Sequence, residues 1–289
     1  MVLNYSLAID AIRSDLAKLY ERYSENGILT NAEMTKYNRL AALEKQIVAD
    51  LQPAISGNDA LIEKLAEVQY EEAFYRKAWA IDQTAGVSLR WGTFSAEQVR
   101  AAVKNDLRFL ARRDLAASTV NRVRRTIAQG LIRGTSLRGM MGSVRDAMNI
   151  TGNDALRIVR TEAHRSRELG GVASTEAARA QGVNIVRVWD ATLDDRTRSR
   201  HAALDGQPEK DGGWILGGVK ASYPGDPALD PSQSINCRCT AIDQVDGYEP
   251  QVRRTQENGI QPYQTFEQWA QGRGIRSNRY GEQYDFVRR

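Results

Sequence analysis

Residues 153–189 read NDALRIVRTEAHRSRELGGVASTEAARAQGVNIVRVW, and they predict one long helix followed by a strand. Asn153 is a favourable N-cap, and the helical pattern continues to about residue 180. One face of this helix consists almost entirely of small residues: Leu156, Val159, Ala163, Ser166, Gly170, Ala173 and Ala177. Small side chains let another backbone approach closely, so we expect this face to be buried against a neighbour. Beyond Gly182, the β-branched and aromatic residues 185–189 predict the strand.

A second face of the same helix brings Arg160, His164 and Arg167 together, because these residues are spaced by one and two helical turns. The chain that follows, residues 183–245, is polar and punctuated by glycine and proline, and a second strand is predicted over 237–245. We therefore expect a small β-containing lobe that is held together by few regular elements.

The first 85 residues predict helices only. The first helix has apolar residues at three- and four-residue steps: Ile9, Ile12, Leu16, Leu19 and Tyr23. The capping box of Thr30 and Glu33 starts a second helix that Pro53 is expected to limit, and the two helices form an antiparallel hairpin. A third helix begins near Asn58 and ends at Gly86. Its predicted apolar face is Leu61, Leu65, Val68, Tyr75 and Trp79.

A basic block follows, because residues 90–145 contain 12 Lys/Arg against 3 Asp/Glu in a chain whose net charge is only +4. The capping box of Ser95 and Gln98 starts its first helix. Further on, Arg122, Arg125 and Arg133 lie opposite an apolar helical stripe, so we expect their charges to be available to a partner. Charge alone supports two interpretations equally, namely contact with nucleic acid or an acidic protein, and a solvated helix face.

Together these patterns predict a mostly α protein with a small α+β C-terminal lobe. The predicted boundaries are 1–86 for an elongated N-terminal helical hairpin and bundle, 87–151 for the basic helical region, 152–247 for the long helix with its β lobe, and 248–289 for a C-terminal tail. The tail carries one predicted helix near 266–271.

The composition excludes two classes of protein. No apolar run approaches the roughly 20 residues of a membrane helix, so we expect no membrane partner. Asp10 interrupts the mildly apolar N-terminal stretch, so we expect no signal peptide. The two cysteines, Cys237 and Cys239, are too few for the disulfide framework of a small secreted protein.

Cys237 and Cys239 are predicted to lie on one face of a strand, where a disulfide between them would be strained. With His201 and a carboxylate such as Asp205 or Asp226, they form a candidate zinc site. The spacer of one residue between the cysteines is shorter than the spacer of structural zinc sites, however. It favours the other interpretation, two small buried cysteines and no cofactor.

A structural role explains the polar residues of the lobe more simply than catalysis does. The zinc-deaminase pattern and the phosphate-binding glycine loop are both missing from the sequence, so we expect no enzyme. A small lobe with long loops needs polar contacts, which charge-assisted hydrogen bonds supply. The residues predicted to hold the lobe against the long helix are Arg160, Glu162, Arg198, His201, Asp205 and Asp226. In the alternative, a metal-dependent enzyme or toxin-like module, the working residues are His201, Asp205, Cys237 and Cys239.

Several short motifs of this region occur in one order and at sensible spacing. They are Arg160-Thr161-Glu162, Gly182-Val183, Val188-Trp189, Asp195-Arg196-Thr197-Arg198, His201, Leu204-Asp205-Gly206, Pro224-Gly225-Asp226 and Asn236-Cys237-Arg238-Cys239. In this combination, residues 134–245 resemble the head morphogenesis domain of tailed bacteriophages, which is found in the Mu F-like minor head proteins.

The resemblance implies a minor virion protein that acts in head morphogenesis and in DNA packaging or delivery, without an established enzyme activity. It implies a location inside the capsid at the portal vertex, reached from the host cytoplasm during assembly, and the portal protein as partner. Packaged double-stranded DNA would be the anion nearest to Arg122, Arg125 and Arg133, which would contact phosphates without sequence preference. The major capsid protein, a scaffolding protein and neighbouring copies are further candidate partners.

Overall fold

A computed structural model of the chain describes residues 2–104, 106–245 and four strand segments nearer the C-terminus. Its helices are α1 (Val2–Tyr23), α2 (Asn31–Thr35), a 3-10 helix (Lys36–Asn38), α3 (Arg39–Ala85), α4 (Ala96–Val103), α5 (Asp106–Ile132), α6 (Leu137–Arg179), α7 (Ser199–Ala202) and α8 (Pro231–Ser234). Its strands are β1 (Ile185–Asp190), β2 (Trp214–Leu216), β3 (Val219–Ala221), β4 (Thr240–Val245), β5 (Val252–Thr255), β6 (Gly259–Pro262), β7 (Arg276–Ser277) and β8 (Tyr284–Asp285). The predicted class, mostly α with a small region of antiparallel strands, is confirmed. The helix predicted near 266–271 lies outside the described residues. None of the described helices is long and apolar enough to cross a membrane.

The chain forms two compact units, and each is built from separate parts of the sequence. The first unit contains residues 1–64 and 105–159, and the second contains residues 65–104 and 160–289. Helices α3 and α6 therefore contribute residues to both units. The units do not follow the predicted boundaries after residues 86 and 151, since α3 changes unit within its length and α6 continues through residue 151.

The core of the first unit is built from the apolar stripes of its helices. Ile12 and Leu16 of the predicted α1 stripe are buried, as is Tyr20, which the prediction did not include. The other predicted members, Ile9, Leu19 and Tyr23, are partly buried against the same core. The three buried residues belong to one apolar cluster with Ile47 of α3, Ile127 of α5 and buried residues of α6. The periodicity predicted these stripes correctly, because each follows the helical repeat without interruption.

The helix end predicted at Pro53 is wrong, because this proline lies inside α3. A proline in a helix interior removes one backbone donor and costs several kcal/mol in isolation. Leu51 and Ala54 on either side of it are buried in the core, however, and their packing stabilises that turn of the helix. The helical chain is interrupted earlier instead, at Tyr37 and Asn38, where φ is positive.

The predicted N-cap Asn153 is also inside a helix, since α6 begins at Leu137. The break that precedes α6 is at Gly134, whose φ of 65° is accessible to glycine at little cost. Residues on either side of Asn153 pack into the first unit. Met148 and Ala155 belong to its apolar cluster, and the buried Thr151 accepts a hydrogen bond from Arg122 of α5.

In the second unit, α3 buries a different face from the predicted one. Val68, Tyr75 and Trp79 are 43%, 41% and 67% exposed. The buried face consists of Ala66, Tyr70, Phe74, Ala78 and Ile81. Both faces have helical spacing, so periodicity alone does not separate them. The buried face carries the alanines, which leave room for α4 and α6 to approach.

The small-residue face of α6 is buried only in part, whereas the sequence predicted burial of the whole face. Ser166 and Gly170 are buried, and Gly170 lies directly against the backbone of Tyr70. Leu156 is 37% exposed, and Ala163 and Ala177 are half-buried. A Cβ atom on Gly170 would lie 3.0 Å from the carbonyl carbon of Tyr70 and would collide with its oxygen. This close approach of two backbones is therefore possible only at a glycine.

The lobe that follows α6 contains two small antiparallel sheets. Strands β1 and β4 pair from Ile185 opposite Val245 to Asp190 opposite Thr240. Strands β2 and β3 form a hairpin. An apolar cluster lies beneath these strands and contains Trp189, Trp214, Leu216, Ala221, Leu229, Cys237 and Cys239, among others. Both strands predicted from the sequence are present, although β4 begins at residue 240 and not at 237.

Candidate functional site

His201, Cys237 and Cys239 converge in the interior of the lobe. His201 lies on α7, and the two cysteines lie in the segment that leads into β4. The Nδ1 atom of His201 lies 3.4 Å from Sγ of Cys239 and 3.6 Å from Sγ of Cys237. All three side chains are buried, and both thiols are free. The imidazole also meets the ring of Trp189 edge to face, with 5.4 Å between the ring centroids.

The two thiols titrate differently because they are hydrogen-bonded to each other. The hydrogen bond from Cys239 lowers the pKa of Cys237 below its ordinary value, against the opposite effect of burial. The same hydrogen bond and burial raise the pKa of Cys239 well above its ordinary value.

The three side chains have a donor set and spacing that suit a zinc ion. Their ligand atoms all lie within 4.8 Å of one another. In a tetrahedral site with ordinary bond lengths, a nitrogen and a sulfur ligand are about 3.5 Å apart. Neither carboxylate suggested by the sequence joins the group, because no Asp or Glu of the described residues is part of it. A cavity of about 20 Å³ beside His201 and Cys239 offers room for one water molecule.

Asp205 and Asp226 accept hydrogen bonds from the backbone instead. Asp205 accepts from the amide of Ala191 at 2.6 Å. Asp226 accepts from the amides of Ser222 at 2.8 Å and Ala228 at 2.9 Å. Through these amides, both carboxylates hold loops of the lobe in place.

The other members of the predicted polar network are dispersed. Glu162 is buried and forms an ion pair with Arg165, at 3.2 Å. Arg198 donates to the carbonyls of Ile235 at 2.6 Å and Gln233 at 3.5 Å. Arg160 is exposed at the surface of α6. Of the predicted site residues, the structure brings His201 together with the two cysteines, and it does not join the six residues of the predicted network into one cluster.

The sequence patterns did not indicate the buried contact between Arg187 and Glu209 in the lobe. Arg187 on β1 is buried and donates to the Glu209 carboxylate, with Nε 2.9 Å from Oε2. Its other guanidinium nitrogens donate to the carbonyls of Ser222 and Gly212. Arg179 at the end of α6 contacts the same Glu209. The alternation of the strand could have revealed Arg187, because it shares the inward face with Ile185 and Trp189.

Two further carboxylates tie β4 to the helices of the second unit. Glu168 of α6 is buried and accepts a hydrogen bond from the amide of Ala241 at 3.0 Å. Burial raises the pKa of Glu168, although the nearby His164 and Lys77 oppose the shift. Lys77 of α3 forms an ion pair with Asp243 at 2.9 Å. These contacts hold the β1–β4 sheet against α3 and α6 within the unit.

The three arginines predicted to contact DNA differ in their surroundings. Arg122 donates to the hydroxyl of Thr151 at 3.1 Å and lies 3.5 Å from the Asp154 carboxylate. The expectation that its charge is free of internal partners is therefore wrong, because α6 supplies a carboxylate opposite it. Arg125 and Arg133 are exposed.

An open cleft of about 670 Å³ lies on the surface of the second unit, beside Cys237. It is lined by the α6 face that carries Arg160, His164 and Arg167, and by the loops on either side of the lobe. Burial lowers the pKa of His164, so this side chain is neutral near pH 7. The sequence placed these three α6 residues together, but not the loop residues that face them.

Comparison with known proteins identifies relatives over most of the chain. A model of the family described as Phage Mu protein F like protein matches residues 121–242. The minor head protein GP7 of Bacillus phage SPP1 is 33% identical over 261 residues, which cover 86% of this chain and 82% of that protein. No solved structure matches the chain.

Two other relatives are more distant. An NAD(+)–arginine ADP-ribosyltransferase of Enterococcus faecalis is 27% identical over 91% of this chain, and the chain spans 55% of its length. An uncharacterized protein of Haemophilus influenzae is 25% identical over 55% of this chain and 32% of its own length. The family model and the identity to the SPP1 protein agree with the resemblance predicted from the motifs of residues 134–245. The chain therefore belongs to the Phage Mu protein F like family, as a homologue of a phage minor head protein.

Proposed function

We propose that the chain is a structural minor head protein of a tailed bacteriophage. It lies inside the capsid at the portal vertex and acts in head morphogenesis and in DNA packaging and delivery. The observation that carries this proposal is the identity of 33% to a minor head protein, over 82% of that protein's length.

The chemistry of the lobe supports a role in assembly better than a role in catalysis. His201, Cys237 and Cys239 are at most 4% exposed, and of these three only Cys237 borders the open cleft. Asp205 and Asp226 are engaged with backbone amides. A catalytic group has to be within hydrogen-bond reach of its substrate. We therefore propose that the chain itself is not an enzyme.

The portal contact is assigned to the exposed apolar face of α3 in the second unit, which consists of Val68, Tyr75 and Trp79. These residues are separated by seven and four positions, so they lie on one helical stripe. Exposed apolar residues that form a contiguous stripe indicate a protein interface more often than scattered ones do. Trp79, at 67% exposure, is the largest of them.

Co-purification with the portal ring of the same phage tests this proposal. We expect the wild-type chain to bind the ring and Trp79→Ser to bind at least about tenfold more weakly, because tryptophans are frequent interface hot spots. Ile215→Ser is the matched control, since Ile215 is an exposed apolar residue of the same unit at 62%. Failure of the wild type to bind would contradict the portal assignment, and equal binding of both variants would contradict the assignment to α3.

DNA contact is assigned to Arg125 of α5 and to Arg133 in the turn that follows it, without Arg122. Both side chains are exposed, and the contact we propose for them is with phosphates of a duplex. Binding of this kind is independent of sequence. The logarithm of the binding constant falls linearly with the logarithm of the salt concentration, and the slope is about −0.9 for each phosphate that is neutralised.

A zinc ion held by His201, Cys237 and Cys239 is a second candidate for the lobe. The observation that favours it is the separation of the imidazole nitrogen from the two sulfurs, 3.4 and 3.6 Å, close to the edge of a tetrahedral zinc site. Because the three groups are buried in the apolar cluster, the ion would stabilise the lobe and would not act on a substrate. The competing interpretation is still a pair of buried thiols.

Metal analysis of the purified chain separates these interpretations. If zinc is bound, we expect it in stoichiometric amount, lost in the Cys237→Ser/Cys239→Ser variant and retained in His164→Gln, which alters the other histidine of the chain. Chelation should then lower the melting temperature of the wild type, because metal binding is coupled to folding. A wild-type chain that contains no zinc after expression in zinc-supplemented medium would establish the buried-thiol interpretation.

A further inference from the structure

The cleft on the second unit is lined by arginines from three separate segments of the chain. They are Arg160 and Arg167 of α6, Arg196 and Arg198 of the loop before α7, and Arg238 of the segment before β4. Among the described residues, no lysine lines the cleft. Arginines up to 78 positions apart in sequence therefore converge on one surface.

Only part of this positive charge is neutralised within the unit. Asp194 accepts from the Arg238 guanidinium, with Nη2 2.7 Å from Oδ1, and it lies 3.5 Å from Arg196. Arg198 donates to the carbonyl of Ile235, and Arg167 donates to the amide oxygen of Gln69 at 2.9 Å. These two bonds orient the guanidinium groups but bring no negative charge.

Arg160 is exposed and forms no hydrogen bond or ion pair among the described residues. Beneath the cleft, the Nε2 atom of His164 is buried and has no hydrogen-bond partner among those residues either. Glu168 is an acid near His164, but it is buried and its carboxylate accepts from the amide of Ala241. The open side of the cleft therefore presents oriented guanidinium donors whose charge is only partly neutralised.

We propose that this cleft binds phosphate groups of a nucleic-acid backbone. Each guanidinium presents parallel N–H donors that match two oxygens of an oxyanion. Donors converge from three segments, so several of them are directed at the same ligand. A phosphate offers more oxygens to such a set than a carboxylate does, and a volume of about 670 Å³ exceeds what one phosphate fills, which fits a run of nucleotides. The choice of DNA as the source of the phosphates rests on the proposed function, whereas the phosphate chemistry rests on the cleft alone.

Titration of the full chain with fluorescent decathymidylate tests the proposal, because a short single strand can enter the cleft. We expect Arg160→Gln/Arg196→Gln to weaken binding at least about tenfold and to reduce the salt slope by about 1.4, the share of two phosphates of a single strand. Both side chains are exposed, so folding should be unaffected, which circular dichroism would verify. Arg138→Gln/Arg145→Gln is the matched control, because it removes the same charge from two exposed positions of α6 outside the cleft. It should weaken the binding of decathymidylate less than threefold.

Three outcomes would overturn the proposal. One is equal weakening by both double variants, since net charge and not the cleft would then govern binding. Another is a lack of competition by inorganic phosphate. The third is tighter binding of a labelled poly-glutamate peptide than of decathymidylate, which would make the cleft a docking site for an acidic protein. Retained co-purification with the portal ring in the Arg160→Gln/Arg196→Gln variant would show that such a failure concerns the cleft and not the proposed function.

Discussion

Replacing Arg187 by alanine should lower the free energy of unfolding by about 3–5 kcal/mol at pH 7, the usual effect of removing one partner of a buried ion pair. The side chain of Arg187 is 2% exposed and that of Glu209 is 6% exposed. In the variant, the carboxylate would retain Arg179 and the backbone amide of residue 187, and the carbonyls of Ser222 and Gly212 would lose a donor. Urea unfolding followed by the fluorescence of the lobe tryptophans measures the loss.

Arg196→Ala is the control for this variant, because Arg196 is a surface arginine of the same lobe whose side chain is 69% exposed. It should change the free energy of unfolding by about 0.5 kcal/mol or less, as is usual for surface positions. If Arg187→Ala cost no more than this control, the contact with Glu209 would not be a main source of stability in the lobe.

The same variant should have a different pH dependence from the wild type. Burial alone raises the pKa of Glu209, but hydrogen bonds from Arg187 and Arg179 outweigh it and hold the pKa below the ordinary value of 4.5. The wild-type carboxylate therefore contributes stability above pH 4.5 that is lost as the pH falls through its lowered pKa. Without Arg187 the pKa rises. The difference in stability between wild type and variant should consequently narrow as the pH falls below 4.5.

Gly170→Ala should destabilise the second unit by about 1–3 kcal/mol, the usual effect of overpacking. Alanine is the better helix former by about 1 kcal/mol, so the propensity term acts in the opposite direction. The new methyl group would collide with the carbonyl oxygen of Tyr70 and lie 3.0 Å from its carbon. Because the obstacle is backbone, it moves only if α3 and α6 separate there. Thermal unfolding by circular dichroism provides the measurement.

Gly171→Ala is the matched control for this position. A Cβ on Gly171 would meet only the Lys77 side chain, with the nearest atoms at 3.5 Å, which is ordinary contact. We expect the variant to be as stable as the wild type or slightly more so, through the gain in helix propensity. If the two alanine variants had the same melting temperature, the close approach of the backbones at Gly170 would not be the reason for the glycine.

Local patterns predicted the parts of the fold that depend on neighbours in sequence. The strand at 185–189, the capping box of Ser95 with Gln98 and the small-residue face around Gly170 are all present. The helix end predicted at Pro53 is wrong because the free-energy cost of a proline in a helix is local, whereas the burial that offsets it involves segments distant in sequence. The exposed face of α3 that contains Trp79 was misjudged because two faces share the helical repeat.

The candidate site was predictable in its composition but not in its pairings. The sequence suggested His201 with the two cysteines, and their ligand atoms do converge. It could not pair Arg187 with Glu209 or Arg238 with Asp194, which are 22 and 44 positions apart, because nothing local specifies such partners. The arginine cleft is a tertiary feature for the same reason.

The interleaving of the two units along the chain has a consequence during translation. Residues 65–104 leave the ribosome before the segment that completes the first unit, yet they belong to the second, which is finished only when β4 has been synthesised. Helix α3 is therefore synthesised before the later segments of both units, against which it packs, are available. A stop codon after residue 159 would release a polypeptide that contains all residues of the first unit. Residues 65–104 would then lack the rest of the second unit, and their exposed apolar side chains would favour aggregation.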